Sequence, residues 1–355
     1  MGDRLSEYRR KRDPDRTPEP VPATTPDPAH GDRFVIQQHH ARSLHWDLRL
    51  ERDGVLASWA VPRGLPRDPG RNHLAVRTED HPLEYLDFHG EIPAGEYGGG
   101  RMTVHDTGTY RTEKWRADEV IVVLDGQRHT GRYVLFQTGG KDWMIRRMDP
   151  TPPGWQPMPE TVAPMLATRA TKLPADDAAW AYEMAWDGQR TLAYVSGGRL
   201  RLLAGSADVT GSYPEVRELA EALAPIECVL DGEIVAFTGT RMDPAALARR
   251  TAAGDPAVVR RLAGRYPVQY LAYDVVWLEG ASTVELGYAE RRELLDGLGA
   301  AGANWQTPPC FVGGGSFAVE ASRAQGLAGV VAKRLDSPYV AGRRSRLWSR
   351  IDNPA

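Results

Sequence analysis

The stretch His39–Arg49 constrains this chain more than any other. From Leu44 to Leu50 apolar and polar residues alternate strictly, the period of a strand with one face in a core. Leu44, Trp46, Leu48 and Leu50 then share the apolar face, and His45, Asp47 and Arg49 stand side by side on the other. Asp53-Gly54 follows as a tight turn. His39 closes the apolar run Phe34-Val35-Ile36, so it can supply a third ligand from the neighbouring strand. Two imidazoles and one carboxylate make a mixed N/O donor set suited to Mn²⁺, Fe²⁺ or Zn²⁺. An arginine beside such a set is the natural clamp for a phosphate. One His-x-Asp on a strand is commonly surface pairing; with a second histidine and an arginine on the same face, a metal site is the better reading.

The rest of the composition bounds this reading without adding to it. At 355 residues the chain is long enough for two domains. A hydrophobic fraction of 41% and a charged fraction of 26% are those of a globular protein. The net charge of −3 gives no global basic signal, so any nucleic-acid surface must be local. Lys11, Lys114, Lys141, Lys172 and Lys333 are the only lysines. Cys228 and Cys310 lack metal-like spacing and point to a reducing compartment. With no membrane-length apolar run and no signal-peptide core, a cytoplasmic (nucleoid) location is expected.

Residues 1–31 are basic and then proline-rich, which predicts a flexible arm that is either a solvated tail or a basic arm that reaches nucleic acid or closes over the site. Residues 32–148 predict many short strands, among them Leu56–Val61, Leu74–Thr78, Met102–His105, Val120–Leu124, Tyr133–Gln137 and Trp143–Arg147. This is the pattern of an all-β small barrel or sandwich. Glu79–Tyr85 places His81 and Tyr85 in a polar loop, and Pro93–Gly100 is a glycine-rich turn without the Gly-Lys-Ser/Thr of a phosphate loop. The prolines of 149–163 predict a stiff linker. Residues 164–355 mix strands and helices as an α+β domain, so the chain is expected to be multidomain.

Taken together, Phe34-Val35-Ile36-Gln37, His39…His45-x-Asp47-x-Arg49, Ser58-Trp59-Ala60-Val61-Pro62, Glu79-Asp80-His81-Pro82 and Gly95-Glu96-Tyr97-Gly98 resemble the 3′-phosphoesterase domain of bacterial end-joining DNA ligase D. The arm Tyr8…Lys11-Arg12…Thr17-x-Glu19-Pro20 matches as well. The resemblance implies Mn²⁺ on His39, His45 and Asp47, with Arg49, His81 and Tyr85 serving the scissile phosphate. Gln37 and Arg63 are expected substrate contacts. The implied reaction removes a 3′-phosphate or trims a 3′-terminal ribonucleoside, leaving a 3′-hydroxyl. The implied partners are DNA 3′ ends and end-joining repair proteins: an end-binding factor, a polymerase and a separate ligase. His89 and His105 depart from the family, which usually has Glu and Trp there.

The second domain resembles the adenylating, nucleotidyltransferase-like domain of ATP-dependent DNA ligases, through Trp186-Asp187-Gly188-x-Arg190, Asp231-Gly232-Glu233, Tyr273-Asp274 and Val330–Arg334. Ala185 sits where the family has its nucleophilic lysine. Ala328, Arg350 and Asp352 replace an expected Glu and two expected lysines, and the chain ends at Ala355, before the family's oligonucleotide-binding fold. A methyl group is no nucleophile. The reading is therefore an inactive ligase domain with vestigial nucleotide-binding residues Asp187, Arg190, Glu233 and Lys333, in which ATP binding itself is doubtful. Two other functions stay open on sequence: an ATP-dependent ligase completed by another chain, and a non-haem iron oxygenase with His105 or His129 as its distant ligand.

Overall fold

The computed structural model describes residues 3–23, 31–239 and 241–354. The chain divides into two units, Met1–Pro153 and Gly154–Ala355.

Among the described residues the first unit contains nine strands: β1 Arg33–His40, β2 Leu44–Arg52, β3 Val55–Val61, β4 Asn72–Arg77, β5 Gly90–Ile92, β6 Gly100–Trp115, β7 Glu119–Gly126, β8 Thr130–Gly139 and β9 Asp142–Arg147. They pair antiparallel in the order β1-β2-β3-β4-β9-β8-β7-β6, and β1 pairs with β6 to close an eight-stranded barrel; β5 is a short rung on β6. Closure removes the exposed edges that a sandwich would leave. Besides the short β5, the 16-residue strand β6 pairs with β1 over Arg101–Thr109 and with β7 over Gly108–Trp115. Only Met102–His105 of it is legible in sequence, because Asp106–Trp115 is mostly polar.

Register then builds the site. Asp53 and Gly54 both take positive φ, 52° and 79°, as a two-residue hairpin turn with the twist of its strands requires. In the β1–β2 pair His39 stands opposite His45, and Gln37 opposite Asp47. The polar ribbon of β2 is not a wet face: Asp47, Arg49 and Glu51 are buried.

What buries it corrects an expectation. Residues 3–23 of the expected flexible arm are folded onto the barrel, whereas 24–30 lie outside the described residues. Leu5 and Tyr8 are fully buried in a cluster with Val35, Leu56, Tyr85 and Met102. Two such side chains contribute roughly 1.5–3 kcal/mol each, enough to hold a short segment that composition alone marks as solvated. The Tyr8 hydroxyl donates to the Pro20 carbonyl at 2.8 Å and closes the arm into a loop.

The second unit has two sheets. One orders the strands 166–169, 344–352, 329–334, 180–185 and 311–312; the other runs 207–208, 199–204, 189–196, 228–238, 268–278, 305–306 and 301–302. Helices such as Tyr288–Gly297 and Gly315–Ala324 pack against them. The expected linker 149–163 is shorter than its prolines imply. Met158 and Val162 join an apolar cluster with Trp277 and Trp348, and the Gln156 amide donates to Gly280 at 2.6 Å. No helix among the described residues is long and apolar enough to cross a membrane.

Candidate active site

His39, His45 and Asp47 each point a ligand atom at a common place, all within 4.8 Å of one another. His39 Nδ1 lies 3.8 Å and His45 Nε2 3.9 Å from the Asp47 carboxylate. His45 Nδ1 is 3.1 Å from the Ser43 carbonyl. That contact makes Nδ1 the donor and leaves the Nε2 lone pair facing Asp47. Burial, aided by His45 and Arg49, holds the His39 imidazole below its ordinary range and so in the neutral form a metal ligand needs. His39 Nε2 is buried without a hydrogen-bond partner. A mixed N/O donor set on partly buried side chains fits a divalent ion.

Arg49 is 2% exposed and fixed from three sides. Its Nε donates to Gln37 Oε1 at 2.7 Å, its Nη2 donates to Asp47 at 3.0 Å, and its guanidinium carbon lies 4.8 Å from the centre of the Tyr85 ring. Gln37 is anchored in turn, donating to the carbonyls of Tyr85 at 3.0 Å and Phe88 at 2.7 Å. Arg49 Nη1 is left buried and without a partner. An immobilised guanidinium with a spare N–H beside a metal-type donor set is an anion site waiting for one more oxygen.

The folded arm brings residues that the motif reading did not single out for the site. Arg12 bridges Glu19 at 2.6 Å and Glu79 at 3.0 Å, and its Nη2 lies 3.4 Å from His81 Nε2. Lys11 also binds Glu79, at 2.9 Å. Burial alone would raise the Glu79 carboxyl, but hydrogen bonds from Lys11 and Arg12 carry it below its ordinary range. Tyr85 donates its hydroxyl to Glu19. Arg12, Glu19, His39, His45, Asp47, Arg49, His81 and Tyr85 all line one cavity of about 180 Å³. The available signal for Arg12 and Glu19 was their place in the quoted arm; a charged tail ahead of a proline run gives no other hint.

His81 Nδ1 lies 2.8 Å from the Glu79 carbonyl and donates to it, so Nε2 carries the lone pair. Burial, then Arg49 and Arg12, holds this imidazole neutral, well below the ordinary histidine range. His81 is therefore an acceptor or base, not a charged acid. Of the two expected substrate contacts, Gln37 acts behind Arg49, and Arg63, just past β3, does not line the cavity. His129 donates to Asp106 at 3.0 Å and meets the His105 ring at 5.4 Å, and neither joins the cluster of His39, His45 and Asp47. His39, rather than His105 or His129, lies with His45 and Asp47, so the distant ligand expected for the oxygenase alternative is not found at this cluster.

The second unit holds a cavity of about 510 Å³ between its sheets, lined by Glu183, Ala185, Asp187, Arg190, Glu233, Tyr273, Lys333, Trp348 and Arg350 among others. All four residues expected as vestiges thus face one space. Lys333 is 2.8 Å from Glu183, Arg190 binds Asp231 at 2.6 Å, and Tyr273 donates to Glu233 at 2.8 Å. Arg350 pairs with Asp187 at 2.7 Å. Asp187 takes φ 52° in the turn between two strands, a conformation that Asp tolerates better than most residues. Ala185 closes its strand opposite Gly329 and offers only a methyl group.

Residues 37–137 match the family described as the DNA ligase D 3′-phosphoesterase domain, and residues 164–351 the ATP dependent DNA ligase domain. The multifunctional non-homologous end joining protein LigD of Mycolicibacterium smegmatis is 43% identical over 98% of this chain and 45% of its own length. The protein of that name from Pseudomonas aeruginosa is 31% identical over 98% of this chain and 47% of its own. The chain thus spans less than half the length of these curated relatives. A solved structure described as mycobacterial DNA ligase D complexed with ATP and MES aligns with 54% of this chain and 60% of its own, at 35% identity and a TM-score of 0.47.

Proposed function

The chain belongs to the ATP-dependent DNA ligase family, with the 3′-phosphoesterase domain of DNA ligase D ahead of the ligase domain, and from that premise we propose a divalent-metal-dependent 3′-end-processing phosphoesterase whose second unit forms no covalent adenylate. The observation that carries the first half is the meeting of His39, His45 and Asp47 within 4.8 Å, beside an arginine with an unsatisfied buried N–H. His39, His45 and Asp47 would hold the ion, with Mn²⁺ the metal that the resemblance favours. When bound, it supplies charge neutralisation and nucleophile activation.

The chain's own groups account for the rest. Arg49 grips the phosphate through Nη1 while Gln37 and Asp47 hold its plane. One such contact to a developing charge is worth a few kcal/mol. His81 Nε2 stands ready to accept a proton or a hydrogen bond, oriented by the Glu79 carbonyl. Tyr85 and Arg12, tied through Glu19, orient the remaining phosphate oxygens. The substrates are DNA 3′ ends bearing a phosphate or a terminal ribonucleoside, acting with end-joining partners: an end-binding factor, a polymerase and a separate ligase.

For the second unit, doubt moves from binding to chemistry. A cavity of about 510 Å³ lies in the range of ligand pockets and keeps Lys333, Arg190 and Glu233 on its wall. This supports non-covalent nucleotide binding. Ala185 leaves no group to take up AMP.

The test is a 3′-phosphate primer–template incubated with the chain, with and without Mn²⁺. Phosphate should be released only with the metal, and the His45→Ala chain should release none while remaining folded. Metal-independent release, or release by His45→Ala at the parent rate, contradicts the proposal.

A further inference from the structure

The inner cavity raises a question of size. At about 180 Å³ it is little larger than a cavity of about 150 Å³ that takes a single benzene. It accommodates a phosphate but not the nucleoside attached to it. The nucleoside must lie elsewhere, and the barrel provides a place. A groove of about 830 Å³ opens between the β1–β2 turn at Ala41–Ser43 and the loop Pro93–Gly99. The groove and the inner cavity share Ala41, His45, Ile92, Tyr97 and Gly98 on their walls, so the two adjoin.

The backbone along the groove is packed too closely for side chains at two positions. A Cβ on Gly100 would come 2.3 Å from the His40 carbonyl, and a Cβ on Gly99 2.8 Å from that of Pro93. Tyr97 stands where groove and cavity join. It is 48% exposed, unusually open for an aromatic residue in this chain. It is nevertheless held in place. Lys11 Nζ donates to its hydroxyl at 3.2 Å and lies 4.6 Å from the ring centre, and Arg16 ties the neighbouring Glu96 to the arm at 2.5 Å. On the opposite wall Arg42 is exposed. An anchored, open aromatic ring beside an exposed cation has the two features that single-strand binding sites use, a stacking platform and a backbone contact.

We propose that this groove is the path of the substrate strand, with the Tyr97 ring stacking on the base of the 3′-terminal nucleotide while the terminal phosphate alone enters the inner cavity. The proposal rests on the phosphoesterase reading and adds its substrate form: an unpaired or frayed 3′ end, taken without regard to base identity, because every base has a π face.

Equilibrium binding tests it. The probe is a 5′-dye-labelled duplex whose 3′-phosphate strand ends in three unpaired nucleotides, prepared with a normal or an abasic terminal nucleotide. Binding is measured for the full chain without added metal. Removing the base, or replacing the ring by Tyr97→Leu, should each weaken binding roughly tenfold to hundredfold. Removing both should weaken it no further than either alone, and Tyr97→Phe should recover most of the affinity. Equal affinity for the two probes in the parent chain, or losses that multiply when combined, would overturn the proposal. Phosphate release with Mn²⁺ is followed in the same preparations. A parent chain that releases none, yet binds in a base- and ring-dependent way, contradicts the phosphoesterase reading and leaves the groove assignment standing.

Discussion

The cavity of the barrel and the cavity of the second unit are walled by strands that hold charged side chains against a few aromatic rings. In the barrel, the side chains assigned to the proposed chemistry are braced: Gln37 behind Arg49, the Ser43 carbonyl behind His45, the Glu79 carbonyl behind His81. In the second unit the bracing survives around an empty position. Ala185 still pairs with Gly329, and Lys333 still pairs with Glu183. The strand needs only its backbone bonds and a small buried side chain there, and alanine supplies both. Retention of a fold and its pocket therefore says nothing about retention of a nucleophile. The comparison is decided by single side chains, and it can be broken the same way.

The largest effect is expected from His45→Ala. It removes a metal donor from a half-buried position and leaves the apolar face of β2 intact. Phosphate release should vanish and metal content should fall together, while the melting temperature of the metal-free protein stays near that of the parent. Arg49→Lys comes next. It keeps the charge but loses the fork that binds phosphate oxygens. A fall on the order of ten- to a thousandfold in phosphate release is expected; an unchanged rate would mean that Arg49 only pairs with Asp47.

Gln37→Leu is expected to act less strongly and through Arg49. It leaves Arg49 Nε buried without its partner, a loss of about 1–3 kcal/mol. Both stability and kcat should drop, with Arg49→Lys adding little on top of it. If the two effects multiply fully, Gln37 is not a brace for Arg49.

The smallest effect is a slope with pH. Burial, then His129 and Arg128, push the His105 imidazole down to about 4, against the pull of Asp106 and with Arg67 nearby. In the unfolded chain a histidine titrates near about 6.5. Between these values the unfolded chain binds a proton that the folded barrel refuses, so stability falls as pH drops through that window. His81, also lowered, adds to the same trend. Denaturation midpoints should decrease from pH 7 to pH 5, and His105→Gln should flatten the decrease. A His105→Gln slope equal to the parent's would contradict the assignment.

The site was legible where side-chain period and chemistry coincide. The alternation of Leu44–Leu50 fixes which side chains share a face, and that face carries His45, Asp47 and Arg49. The small barrel was legible in the spacing of short strands and turns, but the pair of strands that closes it was not, because the β1–β6 pairing joins residues about seventy apart through a polar strand. Which of the arm's readings applies was not legible for a related reason. Its charged residues look solvated until Glu19 and Glu79 are seen to neutralise Arg12, and Leu5 and Tyr8 to hold the segment down. In the second unit, the alanine at position 185 was visible in the sequence, but sequence alone could not tell that Asp187, Arg190, Glu233 and Lys333 face a common cavity.

The contrast between the two cavities is tested most directly by incubating the parent chain with ATP labelled on its α-phosphate and a divalent metal, then denaturing it and looking for label on the protein. The account predicts ATP that is retained by the native protein and lost on denaturation, with no labelled band. An acid-labile protein–AMP adduct in the parent chain would contradict it, because some group other than residue 185 would then be serving as the nucleophile.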